Sequence, residues 1–395
     1  MKRQLLHTPE GVRDIYNDEC EKKMLLQDQL YHILRLHGYH PIQTPTFEFF
    51  DIFGREIGTT PSKDLYKFFD REGNTLVLRP DITPSIARCA AKYFGEEELP
   101  IRLCYMGNTF INNSSYQGRL KECTQLGAEL LGDPSVDADA EMISMVISCL
   151  KAAGLKEFQL SIGHADFFRG LMEAAGLLEE QEEELRELIS NKNFFGVEEF
   201  VETLNLEENL KKLFGMLGNL YTGSDELSAA RECAASYPRI LKAIGDLEEL
   251  HKILEVYEVS RYVSFELGTI SNYQYYTGII FAGYTFGSGE AIVKGGRYDR
   301  LLTCFGKDSA SIGFAFVVDQ LMAALQRQKI DVPVERSVEL MVYKPAKRQT
   351  AITAAAAARA AGRCVELMLW DETKQKEDYE DYAARSRMIN VQFFA

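Results

Sequence analysis

Apolar residues recur along CEKKMLLQDQLYHILRLH (20–37) so that Met24, Leu25, Leu30, Ile33 and Leu34 fall near one face of a 3.6-residue period. That pattern predicts an amphipathic helix, with Gly38 placed to end it. The following GYHPIQTPTFE is expected to run extended, because Pro41 and Pro45 hold their predecessors out of the helical region. Short strand-like runs come next at KFFD, TLVLRP, IRLCYMGNTFI and CTQLGAELLG. Between them ITPSIARCAAKYF reads as a helix with Pro84 in its first turn. A helix over 136–150 then leads into the strand KEFQLSIGH.

The pattern changes over 165–256, which is helical in period and rich in Glu, as in LLEEQEEELRELI and GDLEELHKILEVY. Strands resume at RYVSFELG, YYTGIIFAGYTFG and EAIVKGG, and SIGFAFVVDQLMAALQRQ reads as strand into helix. VPVER (332–336) has the look of a linker. Beyond it VELMVY, an Ala-rich helix, CVELMLW, a charged helix and INVQFF alternate as a small α/β unit. The expected organisation is a β-rich core of 1–164 and 257–330, a helical insertion at 165–256 and a C-terminal α/β domain at 331–395.

Composition narrows the function classes. The 395 residues leave room for two or three domains, and a net charge of −15 argues against a chain that wraps nucleic acid by bulk electrostatics. No apolar run is long enough to span a membrane, and MKRQLLHTPEGVRDIY lacks the apolar core of a signal peptide, so a cytoplasmic chain is expected. The eight cysteines are scattered without a CxxC pair and the six histidines do not cluster. Neither a metal site nor a cofactor is therefore expected.

The informative side chains are polar ones embedded in strand-like runs, since a buried polar group needs a partner. Asp81 and Thr83 follow the LVLRP strand; Gln125 and Glu129 share one strand at even spacing and so one face; Tyr275 and Tyr276 open an aromatic strand. GGRYD (295–299) adds a permissive turn, an Arg and an acid. Such a set suits a small zwitterion, whose ammonium needs acceptors and whose imidazole N–H, if it has one, needs a carboxylate or phenol oxygen. Each has a plainer use. Asp81 serves equally well as a helix cap, Gln125 and Glu129 as polar residues on a solvated sheet, and the tyrosines as core packing. His164 in SIGH reads as structural.

Together these segments resemble the catalytic core of histidyl-tRNA synthetase over roughly 8–325. TPEGVRDIY is similar to its N-terminal signature, and GYHPIQTPTFE to motif 1, the dimer-forming element of class II synthetases. LRPDITPSIAR is similar to the segment that holds the amino group, and YMGNTFINNSSYQGRLKECTQLGAELLG to motif 2. YYTGIIF and KGGRYDRL are similar to the histidine-specific segments, and SIGFAFVVDQL to motif 3. The resemblance implies an α+β fold: an antiparallel sheet flanked by helices, with a helical insertion and a small C-terminal α/β domain. It also implies a histidine site of Asp81 (where the family has Glu), Thr83, Gln125, Glu129, Tyr275 and Tyr276.

The departures concern ATP. Where synthetase motif 2 has an α-phosphate-binding Arg and then an acid, this chain has Ile111 and Asn113. The motif 3 Arg for the γ-phosphate is Gln320, and the Arg ahead of the tyrosine pair is Ser271. One preorganised electrostatic contact is worth about two orders of magnitude in rate, so losing three argues against adenylation. Arg119 and Arg297 remain as auxiliary cations near these segments. The tail at 337–395 is small for an anticodon-binding domain and nearly balanced in charge, so no tRNA is expected.

The combination resembles the regulatory subunits of ATP phosphoribosyltransferase, the synthetase paralogues of histidine biosynthesis. That resemblance implies a non-catalytic chain that activates a short catalytic subunit in a hetero-octamer and conveys feedback inhibition by histidine. The alternatives are a divergent histidyl-tRNA synthetase and a stand-alone histidine sensor.

Overall fold

The computed structural model describes residues 6–54, 60–94, 99–113, 119–269, 275–334 and 337–395. The chain divides into two compact units, 1–332 and 333–395. In the first, α1 (Asn17–Leu36) precedes β1 (His40–Pro41), β2 (Phe47–Phe49), β3 (Lys67–Phe69) and β4 (Thr75–Leu78). Then come α2 (Thr83–Tyr93), β5 (Ile101–Phe110), β6 (Glu122–Leu131), α3 (Val136–Ala152) and β7 (Phe158–His164). The next stretch holds α4 (Ala165–Ala175), α5 (Glu179–Ser190), α6 (Phe194–Glu202), α7 (Glu208–Gly215), β8 (Leu220–Tyr221), α8 (Ser228–Cys233) and α9 (Pro238–Val256). The unit closes with β9 (Val263–Glu266), β10 (Ile279–Thr285), β11 (Val293–Arg297), β12 (Ser311–Val317) and α10 (Val318–Arg327).

Among the described residues the main sheet has nine strands in the order β1-β5-β6-β12-β11-β10-β7-β9-β8. It is largely antiparallel; only the β1–β5 and β7–β9 pairings are parallel. A separate antiparallel sheet runs β2-β4-β3. Alternation along the strands divides the main sheet into two faces. Cys104, Leu126, Ala128 and Leu130 join the large core with α1 and α3, while Leu103 and Tyr105 join a smaller cluster with Ile82 and Ile86 of the α2 region. The candidate polar residues lie on this second face.

Several local expectations are refined. In α1 the buried stripe is Leu26, Leu30 and Leu34, at the four-residue spacing that follows one helix face. Leu25 and Ile33 are half-buried beside it, and Met24, expected on that face, is exposed. The helix gives way at Gly38, whose φ of +81° a side chain would strain. Within the Glu-rich stretch the six helices bury Leu185, Val197, Leu213 and Ile244 into the large core. Leu220 and Tyr221 are an exception to its helical pattern, forming β8 against β9. Two residues are too few to show a period.

In the second unit β13 (Val338–Tyr343), α11 (Arg348–Ala360), β14 (Cys364–Leu369), α12 (Lys376–Arg385) and β15 (Asn390–Phe394) alternate as the pattern predicted. The strands form a parallel sheet in the order β14-β13-β15. Leu340 and Val342 pack with Tyr379 and Ala383 of α12, and Met341 packs with Ala355 and Ala358 of α11, so the helices cover opposite faces. Among the described residues no helix is long and apolar enough to cross a membrane.

Candidate functional site

The site is built on a strip of sheet whose middle carries no side chains. Leu103, Glu129, Gly313, Gly296 and Ile280 stand opposite one another across β5, β6, β12, β11 and β10. Residues paired this way share a face. A Cβ on Gly313 would lie 1.6 Å from Oε2 of Glu129, and one on Gly296 would lie 2.8 Å from the Tyr276 ring. Glycine at these two positions is what lets the carboxyl and the ring lie down on the sheet.

Glu129 is 1% exposed. Its Oε1 accepts a hydrogen bond from the Thr83 hydroxyl at 2.7 Å, and its Oε2 accepts one from the Tyr298 hydroxyl at 2.5 Å. Burial pushes this carboxyl up to about 8 despite both donors, and the nearby Asp81 pushes the same way. Burial therefore favours the protonated form of Glu129. Burial raises the Tyr298 phenol well above its ordinary value, and the Glu129 carboxyl beside it adds to the effect. Tyr105 is also fully enclosed; its hydroxyl lies near Thr83 and Glu129 without a hydrogen bond of regular geometry.

Asp81 fills the structural role that its sequence context allowed. Its Oδ1 accepts from the backbone N–H of Ile82 at 2.7 Å and, more weakly, of Thr83 at 3.4 Å, which ties down the start of α2. The residue keeps some accessible surface, yet its carboxyl lies deep enough that burial raises it to about 6, against those two N–H groups. Tyr275 and Tyr276 lie ahead of β10, not at its opening as expected; the strand proper begins at Ile279. Their ring centroids are 4.9 Å apart, and Tyr275 meets Tyr298 edge-on at 5.9 Å. Gln125 sits four residues before Glu129 on the same face of β6, and its buried Oε1 has no hydrogen-bond partner among the described residues.

The structure thus brings Asp81, Thr83, Glu129, Tyr275 and Tyr276 into one cluster, with Gln125 further along the floor. It places the two arginines elsewhere. Arg297 lies on the opposite face of β11, buried in an ion pair with Asp139 (2.7 Å) and bonded to the carbonyls of Asp133 and Ser135. Arg119 is exposed and pairs with Glu290 at 2.9 Å. Tyr298 and Tyr105 are cluster members that reading the sequence did not single out. The signal for Tyr298 was present in GGRYD, where strict alternation puts Gly296 and Tyr298 on one face and Arg297 on the other. His164 is structural: its Nδ1 accepts from the Asp166 N–H at the start of α4, and its Nε2 lies 3.4 Å from Asp246.

At the motif 2 and motif 3 positions the chain presents no cation. Ile111 closes the hairpin through its backbone, donating to Lys121 at 2.9 Å, and Asn113 and Gln320 are half-buried. Ser271 lies outside the described residues. A neutral buried carboxyl, a second carboxyl, phenols and an unpaired amide oxygen can accept N–H donors from a ligand. A cationic ligand would favour ionised carboxylates, and nothing among these groups suits a phosphoryl transition state.

Residues 11–321 match the family model described as histidyl-tRNA synthetase. A relative from Acetivibrio thermocellus named ATP phosphoribosyltransferase regulatory subunit is 41% identical, covering 92% of this chain and 86% of its own. Another of that name from Ruminiclostridium cellulolyticum is 38% identical over 99% of this chain and 93% of its own. The chain belongs to the ATP phosphoribosyltransferase regulatory subunit family. Its architecture agrees with a crystal structure of an ATP phosphoribosyltransferase regulatory subunit/histidyl-tRNA synthetase from Bacillus halodurans C, at TM-score 0.86 and 32% identity, covering 99% of this chain and 98% of that one. Histidyl-tRNA synthetase from Nostoc sp. PCC 7120 shares the fold at TM-score 0.80 and 18% identity, over 97% of this chain and 90% of that one. In this family member Ile111, Asn113 and Gln320 of the synthetase-like scaffold carry no charge.

Proposed function

We propose that this chain is a non-catalytic subunit that sets the activity of a short-form ATP phosphoribosyltransferase catalytic chain at the first step of histidine biosynthesis, in the cytoplasm and without tRNA. Histidine is the ligand it reads. The supporting observation is the contrast within one scaffold. Glu129 is held by Thr83 and Tyr298 beside Asp81 and the tyrosine pair, whereas Ile111 and Gln320 stand where phosphate cations belong. The imidazole N–H is assigned to Glu129, and the ammonium to Asp81, Thr83 and the unpaired oxygen of Gln125.

Regulation then requires histidine to bind two arrangements of the assembly with different affinity, since a ligand shifts an equilibrium only by that difference. Self-association is assigned to the motif 1 region, where Phe47, Phe49 and Phe69 of the β2-β4-β3 sheet are exposed. The deciding experiment mixes the purified chain with a short phosphoribosyltransferase chain and measures condensation of ATP with phosphoribosyl pyrophosphate. Activity should depend on this chain and fall when histidine is added. Histidine-dependent ATP–pyrophosphate exchange by this chain alone would sink the proposal.

A further inference from the structure

An amino acid also brings a carboxylate, and neither Arg119 nor Arg297 meets the cluster. The strand that supplies Gly296 offers another cation. β11 runs Val293–Arg297, and the alternation that puts Gly296 under Tyr276 puts Lys294 on the same face two residues earlier. Lys294 pairs with Ala315 on one side and Ala282 on the other, and Ala315 pairs in turn with Gly127. It therefore stands in the row next to Glu129, Gly313 and Gly296, flanked by small side chains only. Every other residue of the strand is buried and Lys294 is exposed, although β11 is the fifth of the nine described strands and has no free edge. Among the described residues no hydrogen bond or ion pair engages its ammonium.

Two strand spacings and two residues separate Lys294 from Glu129, roughly 12 Å between α-carbons. Both side chains are long enough to reduce that span to the length of one amino acid. Acids thus stand at one end of a glycine and alanine floor and a lone ammonium at the other. We propose that Lys294 receives the carboxylate of the amino acid whose nitrogen groups are held by Glu129 and Asp81. This rests on the histidine-site reading above.

The test is calorimetric titration of the full chain with histidine and with histamine, which lacks the carboxylate. Lys294→Met, which keeps the stem and removes the charge, should weaken histidine about tenfold or more and leave histamine within about twofold. Lys294→Arg should retain histidine binding. Unchanged histidine binding in Lys294→Met, equal weakening of both ligands, or no retention in Lys294→Arg would overturn the assignment while leaving the site itself standing. A wild-type chain that binds neither ligand would instead overturn the histidine-site reading, and this inference with it.

Discussion

Replacing Glu129 by Gln is the substitution that asks most of the site. The folded chain holds this carboxyl at about 8, where the ordinary value is 4.5, chiefly through burial. Ionising it in the folded state therefore costs on the order of 5 kcal/mol more than in the unfolded chain. A carboxyl raised in this way contributes stability that is complete below pH 4.5 and is lost as pH climbs toward 8. Glutamine does not titrate and nearly matches the shape of the protonated acid. The variant should thus gain on wild type by a few kcal/mol between pH 5 and pH 8, read as the difference in urea unfolding free energy at the two values. A difference that stays constant with pH would refute the argument. Under the proposed histidine site the same proton would govern binding. If histidine takes Glu129 as a carboxylate, binding near pH 7 should release close to one proton, seen as a calorimetric heat that varies with the buffer's ionisation enthalpy. Loss of the charge-assisted bond in Glu129→Gln should weaken histidine roughly 10- to 100-fold. Binding without proton release, or an unaffected variant, would count against the assigned role.

Further outcomes follow from neighbouring geometry. Gly313→Ala puts a Cβ 1.6 Å from the Glu129 carboxyl and should lift it off Tyr298, abolishing histidine binding by calorimetry. Arg297→Met leaves Asp139 buried without its partner and should cost about 3–5 kcal/mol in urea unfolding; Asp139→Asn added to it should recover part of that loss. Leu30→Ala, at the centre of the fully buried stripe of α1, should cost about 2–5 kcal/mol by the same measurement and leave the histidine affinity of the folded protein unchanged.

Much of the architecture was legible because periodicity reports exposure locally. The helices at 17–36 and 136–152, the strand-into-helix at 311–327 and the alternation of the C-terminal unit all follow from residue spacing. The shared face of Gln125 and Glu129 followed from the same rule. Where local spacing was ambiguous the reading slipped. Strand-favouring residues run from Tyr275 into β10 with only Gly278 between, so the start of the strand could not be seen, and Met24 is as apolar as Leu26 although only Leu26 is covered. Arg297 stood close to the site segments in sequence, yet its strand turned it toward Asp139 on the other face.

The sequence by itself determined the family scaffold and the uncharged residues Ile111, Asn113 and Gln320 at the motif positions, because motif order and the charge of a residue at a motif position are properties of the chain. Only the tertiary structure decided which groups form the cluster. Glu129 meets Tyr298 across 169 positions and lies on Gly313, and Lys294 shares their floor, because of strand register. Register is set by pairing between distant segments and leaves no mark at either one. The altered acidity of Glu129 and Asp81 has the same origin, since desolvation depends on what the folded chain places around a carboxyl and not on its neighbours in sequence.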